Sequence, residues 1–218
     1  RDPEIINTPA YKRMYLGEWF IDTDKLVYKF DAIKNYAPEL PKLRAWERYY
    51  FVLGVDLGYD DATAFSICAY TDHDPTLYII YAKKYTQLII HDVAVKIRNL
   101  MNQYDFNTII IDNANKRAVV EMRQRHSLPL TPAEKTGKSD FIELMNSDFR
   151  QAKIKVVGDL PELTEEYASL IWDDRTEKRE EHPSCPNHLA DATLYAWRYC
   201  YNYAWREREK LYAPQSEQ

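Results

Sequence analysis

The sequence predicts a mixed α/β domain: three antiparallel strands, then alternating helices and strands, then one long closing helix. Three observations carry this. Apolar runs at Tyr50–Asp56, Ala62–Tyr70 and Leu77–Tyr85 follow one another, with turn residues at Asp72–Pro75 between the last two. Downstream, segments of helical spacing alternate with short apolar runs, the order of a mixed sheet flanked by helices. From His188 to Tyr212 helical spacing then persists without a break.

Residues up to about Trp46 lack strand alternation and contain Pro3, Pro9, Pro38 and Pro41, so they read as an arm or linker with a short amphipathic piece near Pro41–Arg48. Tyr50–Asp56 is an apolar run ending in an acid and reads as a buried strand. Ile89–Tyr104 carries Val93, Ile97, Leu100 and Met101 at helical spacing. Asn107–Asp112 suits a central strand, again ending in an acid. Lys116–His126 reads as a helix, Leu128–Thr131 as a short strand, and Ser139–Gln151 as a helix with Ser139 as its N-cap. Ile154–Val157 is a further short strand. Pro161–Trp172 is expected to be helical with Pro161 in its first turn, and His188–Tyr212 to be a long helix with Asn187 as N-cap, after Pro186. Tyr195, Tyr199, Tyr203 and Trp205 on that helix suit core packing, and Pro214–Gln218 a frayed end.

Composition narrows the functions. With 45% hydrophobic residues the 218-residue chain is ordinary globular protein, large enough for one domain plus an arm. Five glycines, and no Gly-x-x-x-x-Gly-Lys-[Ser/Thr], leave no room for Gly-rich phosphate loops. The three cysteines Cys68, Cys185 and Cys200 form no Cys-x-x-Cys, which argues for a reducing compartment rather than a disulfide framework. No apolar run approaches the roughly 20 residues of a membrane helix, and no signal peptide is visible. Arg1 stands where a start methionine would be, so the chain is expected to be a fragment of a longer protein. Net charge is −5, but unevenly spread. From Asn115 to Lys155 nine bases face five acids, and from Asp159 to Glu181 nine acids face three bases. The basic stretch is compatible with phosphate binding, and equally with a solvated helix face.

Three acids stand out by position: Asp56 ends the first strand, Asp112 ends the fourth, and Asp191 lies in the first turns of the last helix. Each has a plain structural explanation, a strand-end turn for Asp56 and Asp112 and the helix dipole for Asp191. Together they invite another. A carboxylate at the end of an apolar strand is costly to bury unless paired or bound to a cation. If the first and fourth strands are neighbours, Asp56 and Asp112 lie side by side, and a divalent ion relieves their repulsion. Oxygen donors suit Mg²⁺ or Mn²⁺, one or two ions. Such ions support phosphodiester cleavage.

Val55-Asp56-Leu57-Gly58, Asp61-Ala62-Thr63-Ala64, Ile110-Ile111-Asp112 and His188-Leu189-Ala190-Asp191-Ala192 together resemble the C-terminal nuclease of bacteriophage terminase large subunits, which has an RNase H-like fold. Leu16-Gly17-Glu18-Trp19-Phe20 is similar to the segment these proteins carry at the end of their ATPase domain, and Lys135-Thr136-Gly137-Lys138 to the Lys-Gly segment before the next helix. The resemblance implies an arm over residues 1–46 from the end of an ATPase domain and a nuclease domain over 47–213, with the ATPase core absent. It implies a metal-dependent endonuclease that cuts concatemeric double-stranded DNA during genome packaging in the host cytoplasm. It also implies the portal, the small terminase subunit and the ATPase domain as partners, and no membrane. Asp56, Asp112 and Asp191 become the catalytic and metal-binding residues. Asp61, or Asp60, offers an extra ligand, Lys135 and Lys138 phosphate contacts, and His188 support behind Asp191 or a face toward DNA. Many members have two adjacent acids near the last position, whereas here Ala190 precedes Asp191.

Rival readings remain at this point. Another RNase H-like nuclease, of junction-resolvase or transposase type, would share the acids but not the Leu-Gly-Glu-Trp arm. A non-catalytic DNA-binding module would not need all three acids. An actin-like ATPase would need more glycines. His182, Cys185 and His188 are spaced by three, but no fourth ligand completes a zinc site.

Overall fold

The computed structural model describes residues 24–58, 61–175 and 179–212, with side chains through Tyr201. Seven strands form one sheet: β1 (Tyr36–Ala37), β2 (Tyr50–Asp56), β3 (Ala62–Tyr70), β4 (Leu77–Thr86), β5 (Phe106–Ile111), β6 (Leu130–Pro132) and β7 (Ile154–Val157). Their order across the sheet is β1-β7-β4-β3-β2-β5-β6. β2, β3 and β4 are antiparallel neighbours, as their turn-separated runs predict, and every other pairing is parallel. All nine residues of β3 are buried, so the centre of the sheet is covered on both faces.

Five described helices provide that cover: α1 (Ile90–Met101), α2 (Lys116–His126), α3 (Lys138–Arg150), α4 (Pro161–Ser169) and α5 (His188–Tyr212). α1 and α2 turn Val93, Ile97, Val119 and Met122 onto Leu53, Val55, Phe65 and Ile67 on one face. On the other, α3, α4 and α5 contribute Met145, Phe149, Tyr167, Leu189, Ala196 and Trp197 against Val52, Cys68 and Ile79. Alternate residues of β2 thus belong to different cores, the period of two expected of a strand.

Helix α5 lies unusually close to β2. A Cβ placed on Gly54 would come within 1.9 Å of the Ala192 carbonyl oxygen, so only glycine fits. Small residues on the helix, Ala190, Ala192 and Ala196, permit the approach, and Thr193 donates to Ser66 Oγ on β3 at 2.7 Å. This crossing brings the first turns of α5 to the end of β2.

Several boundaries differ from the sequence reading. The N-cap of α3 is Gly137, at φ 68°, rather than Ser139; glycine takes this left-handed conformation without strain. α4 stops at Ser169 because Leu170 is extended, and Ile171 and Trp172 instead form isolated bridges to Leu26 and Glu181. β6 is displaced to Leu130–Pro132, where Pro132 can end an edge strand that needs no further donor.

Pro41–Arg48 contains a turn at Ala45–Trp46 and no helix. Other residues from the stretch read as an arm are part of the core. Val27 and Tyr28 are fully buried, and β1 pairs with β7. Asn35, also fully buried, donates to the carbonyls of Phe149 and Ile154 while its own carbonyl accepts from Val156. A two-residue strand has no pattern to read, so β1 was not foreseeable. The Leu16–Phe20 motif lies outside the described residues. Among those described, no helix is long and apolar enough to cross a membrane.

Candidate metal centre

Parallel pairing of β2 with β5 places Val55 opposite Ile111, so the next residues, Asp56 and Asp112, emerge at the same level. The Asp112 N–H donates to the Val55 carbonyl at 2.8 Å, extending the ladder into the turn. Asp191 enters from above, in the first turn of α5. The three acids are only 8%, 6% and 9% exposed, respectively.

Each carboxyl group has a partner. Asp56 Oδ2 lies 3.1 Å from His188 Nδ1. Asp112 Oδ1 lies 2.6 Å from Lys135 Nζ and accepts the Ala114 N–H at 2.9 Å, closing a local turn. Asp191 faces Lys138, whose Nζ is 2.6 Å from Oδ1 and donates a hydrogen bond of 2.9 Å to Oδ2. Lys138 also donates to Glu181 Oε2 at 2.8 Å, and the Asn187 amide reaches the same oxygen at 2.6 Å. Asn187 therefore uses its side chain on the acids, while its backbone carbonyl accepts the Asp191 N–H. The first turn of α5 is satisfied from elsewhere: Glu166, buried on α4 and paired with Lys84, accepts the Ala190 N–H at 3.0 Å.

Electrostatics join these groups into one site. Burial pushes the Asp191 carboxyl up to about 7; Lys138 draws it down, and the charges of Glu181 and Asp56 push it further up. Tyr195, one turn along α5, has its hydroxyl pushed far up by burial and then by Asp191, Asp56, Asp112 and Glu181 together. All four acids thus act on one point. The hydrogen bond to Asp56 raises the His188 imidazole; burial opposes it, while the charges of Asp56, Glu166 and Asp61 add to it. Asp61 is exposed at the rim, and Asp60 lies outside the described residues.

The donor set suits a hard divalent ion in kind, being carboxylate oxygen throughout. Asp191 Oδ1 and Glu181 Oε1 are buried and receive no aligned hydrogen bond among the described residues, so each retains a lone pair for a cation. Among those residues, no three His, Cys, Asp or Glu side chains are close enough together to grip an ion as they stand. The ammonium groups of Lys135 and Lys138 sit on the carboxylates instead. The sequence reading assigned both lysines to phosphate contact; here each is already engaged with an acid. It missed Glu181 altogether, because nothing distinguishes that residue within the acidic run from Asp159 to Glu181. His182, Cys185 and His188 take separate partners: Ser184, the Ser169 carbonyl and Asp56.

No family model matches the chain. It is 22% identical over 194 residues to the terminase large subunit of Escherichia phage T5, covering 85% of this chain and 44% of that protein. Among solved structures it resembles the full-length large terminase of a thermophilic bacteriophage, with a TM-score of 0.67 at 18% identity, over 78% of this chain and 44% of that one. It also resembles the large-terminase nuclease domain of bacteriophage SPP1 with bound Mn, with a TM-score of 0.56 at 21% identity, over 69% and 86% of the two chains. For the large-terminase nuclease of thermophilic phage G20c with bound magnesium, the TM-score is 0.62 at 13% identity, over 80% and 97%. The chain therefore spans under half the length of the T5 relative. Its fold is that of the large-terminase nuclease domain, the RNase H-like sheet that the four sequence motifs suggested.

Proposed function

We propose that this chain is the nuclease part of a phage DNA-packaging terminase, a divalent-metal-dependent endodeoxyribonuclease that cuts concatemeric double-stranded DNA. The observation that carries this is the delivery of Asp56, Asp112 and Asp191 to one end of the sheet by two parallel strands and a closely packed helix. Three buried acids at one point are costly without a cation. The T5 relative is a terminase large subunit, and the SPP1 and G20c nuclease domains contain Mn and magnesium, which supports the same reading.

Asp56, Asp112 and Asp191 would hold one or two Mg²⁺ or Mn²⁺ ions, with Asp61 as an additional ligand from the rim. A divalent ion held there polarises a phosphodiester and activates the attacking water. The chain's own residues shape the rest. His188 holds the Asp56 carboxylate in one orientation through Nδ1. Asp112 is fixed by the Ala114 N–H, so its free oxygen direction is set before an ion arrives. Lys135, about half exposed, carries positive charge to the mouth of the site, where it can meet a DNA phosphate. A contact of that kind holds the backbone without reading bases, which fits sequence-tolerant cutting.

In the whole protein, residues 1–46 are the continuation from an ATPase domain and 47–213 the nuclease domain. The portal and small subunit are its packaging partners in the host cytoplasm. The test is plasmid nicking with Mn²⁺. Wild type cuts, chelator stops it, and Asp56→Asn abolishes it while the thermal melt stays cooperative. Nicking that persists in the purified variant would overturn the assignment.

A further inference from the structure

Lys138 is held between two buried carboxylates, 2.6 Å from Asp191 Oδ1 and 2.8 Å from Glu181 Oε2. We propose that Glu181 is a fourth carboxylate of the metal site and that Lys138 is its built-in counter-ion, which competes with the divalent ion for Asp191 and Glu181. The inference rests on the nuclease reading above.

Three observations support it. Each acid keeps one buried oxygen without an aligned hydrogen-bond donor among the described residues, Asp191 Oδ1 and Glu181 Oε1. One lysine therefore does not saturate the pair, and lone pairs remain for a second, harder cation. Next, Glu181 is positioned rather than loose: the Asn187 amide holds Oε2 at 2.6 Å, and the bridge from Glu181 to Trp172 fixes its backbone. Its side chain is 11% exposed, comparable to Asp191 at 12%. Last, Lys138 has somewhere to go. It is the first residue of α3, directly after Gly137, and lines a cleft of about 640 Å³ together with Trp172, Arg179, Glu181 and Asn187.

The physical consequence is an exchange. An ammonium group and a divalent ion sharing one carboxylate repel each other in a site that excludes water. Lysine has a flexible stem and gives up its contacts without moving backbone. When the ion binds, Lys138 leaves Asp191 and points into the cleft. Without the ion, Lys138 keeps the acids from repelling each other, so the site stays folded while it waits.

The test compares Lys138→Met, Glu181→Gln and the double variant by calorimetric titration with Mn²⁺ and by thermal melts with and without Mn²⁺. Lys138→Met should melt lower than wild type without the ion, bind Mn²⁺ several-fold more tightly, and gain more in Tm when saturated. Glu181→Gln should weaken Mn²⁺ binding about tenfold. If Lys138→Met fails to fold, the double variant, which loses one charge of each sign, answers the same question: it should bind Mn²⁺ more tightly than Glu181→Gln alone. Equal or weaker binding on removal of Lys138 overturns the competition, and unchanged binding in Glu181→Gln removes Glu181 from the site. Asp56→Asn separates the two readings. If wild type does not bind Mn²⁺, or binds it regardless of Asp56, the nuclease reading falls and takes this inference with it. Binding that needs Asp56 but ignores Lys138 and Glu181 overturns the inference alone.

Discussion

Single residues at this site are constrained by neighbours distant in sequence. Asp56, Asp112 and Asp191 could be picked out from the sequence because acids at the ends of apolar elements break a local rule, burial without charge, that needs no knowledge of the fold. Their partners broke no such rule. Lys138 reaches across 43 residues to Glu181 and 53 to Asp191, and His188 across 132 to Asp56. No periodicity encodes such pairings, which is why Lys135 and Lys138 read as free surface charge and Glu181 as one acid among many. Charge reversal of Lys135 or Lys138 should therefore alter metal affinity as well as DNA contact. A second residue-scale prediction concerns Gly54. Gly54→Ala would drive a methyl group into the Ala192 carbonyl, and backbone cannot yield as a side chain can. We expect a loss of at least about 3 kcal/mol in a urea titration, with Mn²⁺ binding weakened because Asp191 moves with the helix. A loss below about 1 kcal/mol would mean that α5 can slide, and that the crossing does not set the site.

At the scale of elements, long patterned segments matched their sequence reading and short ones did not. α2 and α5 run over the predicted residues, and β2, β3 and β4 form the expected meander, because burial on fixed faces imposes a period over many residues. β1 and the early stop of α4 were invisible, since two paired residues or one extended Leu170 leave no repeating signal. Residues 26–37 illustrate the cost. Weak alternation suggested an arm, yet Asn35 ties β1, β7 and the end of α3 together through hydrogen bonds in a fully buried position. Asn35→Ala would orphan the Phe149 and Ile154 carbonyls, so we expect a loss of about 2–3 kcal/mol by chemical denaturation. Mn²⁺ binding per folded molecule should not change, because none of these groups touches the acids.

For the whole molecule, the buried acids make stability depend on pH. Asp191 is pushed up to about 7 in the folded state, against roughly 3.9 in an unfolded chain. Between those values the native state binds more protons than the unfolded one, so without metal, stability should fall as pH rises from about 4 to 7 and then level. His188, raised in the fold, acts in the same direction: its contribution is full below the unfolded histidine value and is lost as pH rises through the folded one. Urea midpoints across this range, for wild type and Asp191→Asn, test the sign; the variant should show the shallower slope. Saturating Mn²⁺ should shrink the slope too, since a bound cation favours the ionised carboxylate. A midpoint that instead climbs steadily from pH 4 to 7 would show that Lys138 outweighs burial at Asp191.

The crossing of α5 over β2 also decides when the protein becomes dangerous. Asp56 and Asp112 leave the ribosome early, on strands that can pair at once, but Asp191 comes late, on the helix that also covers one whole face of the sheet. Before that helix docks, Val52, Cys68 and Ile79 have no lid and the third acid is missing. Completing the core and arming the scissors are one event, so a half-made chain has no stable form able to cut its own genome.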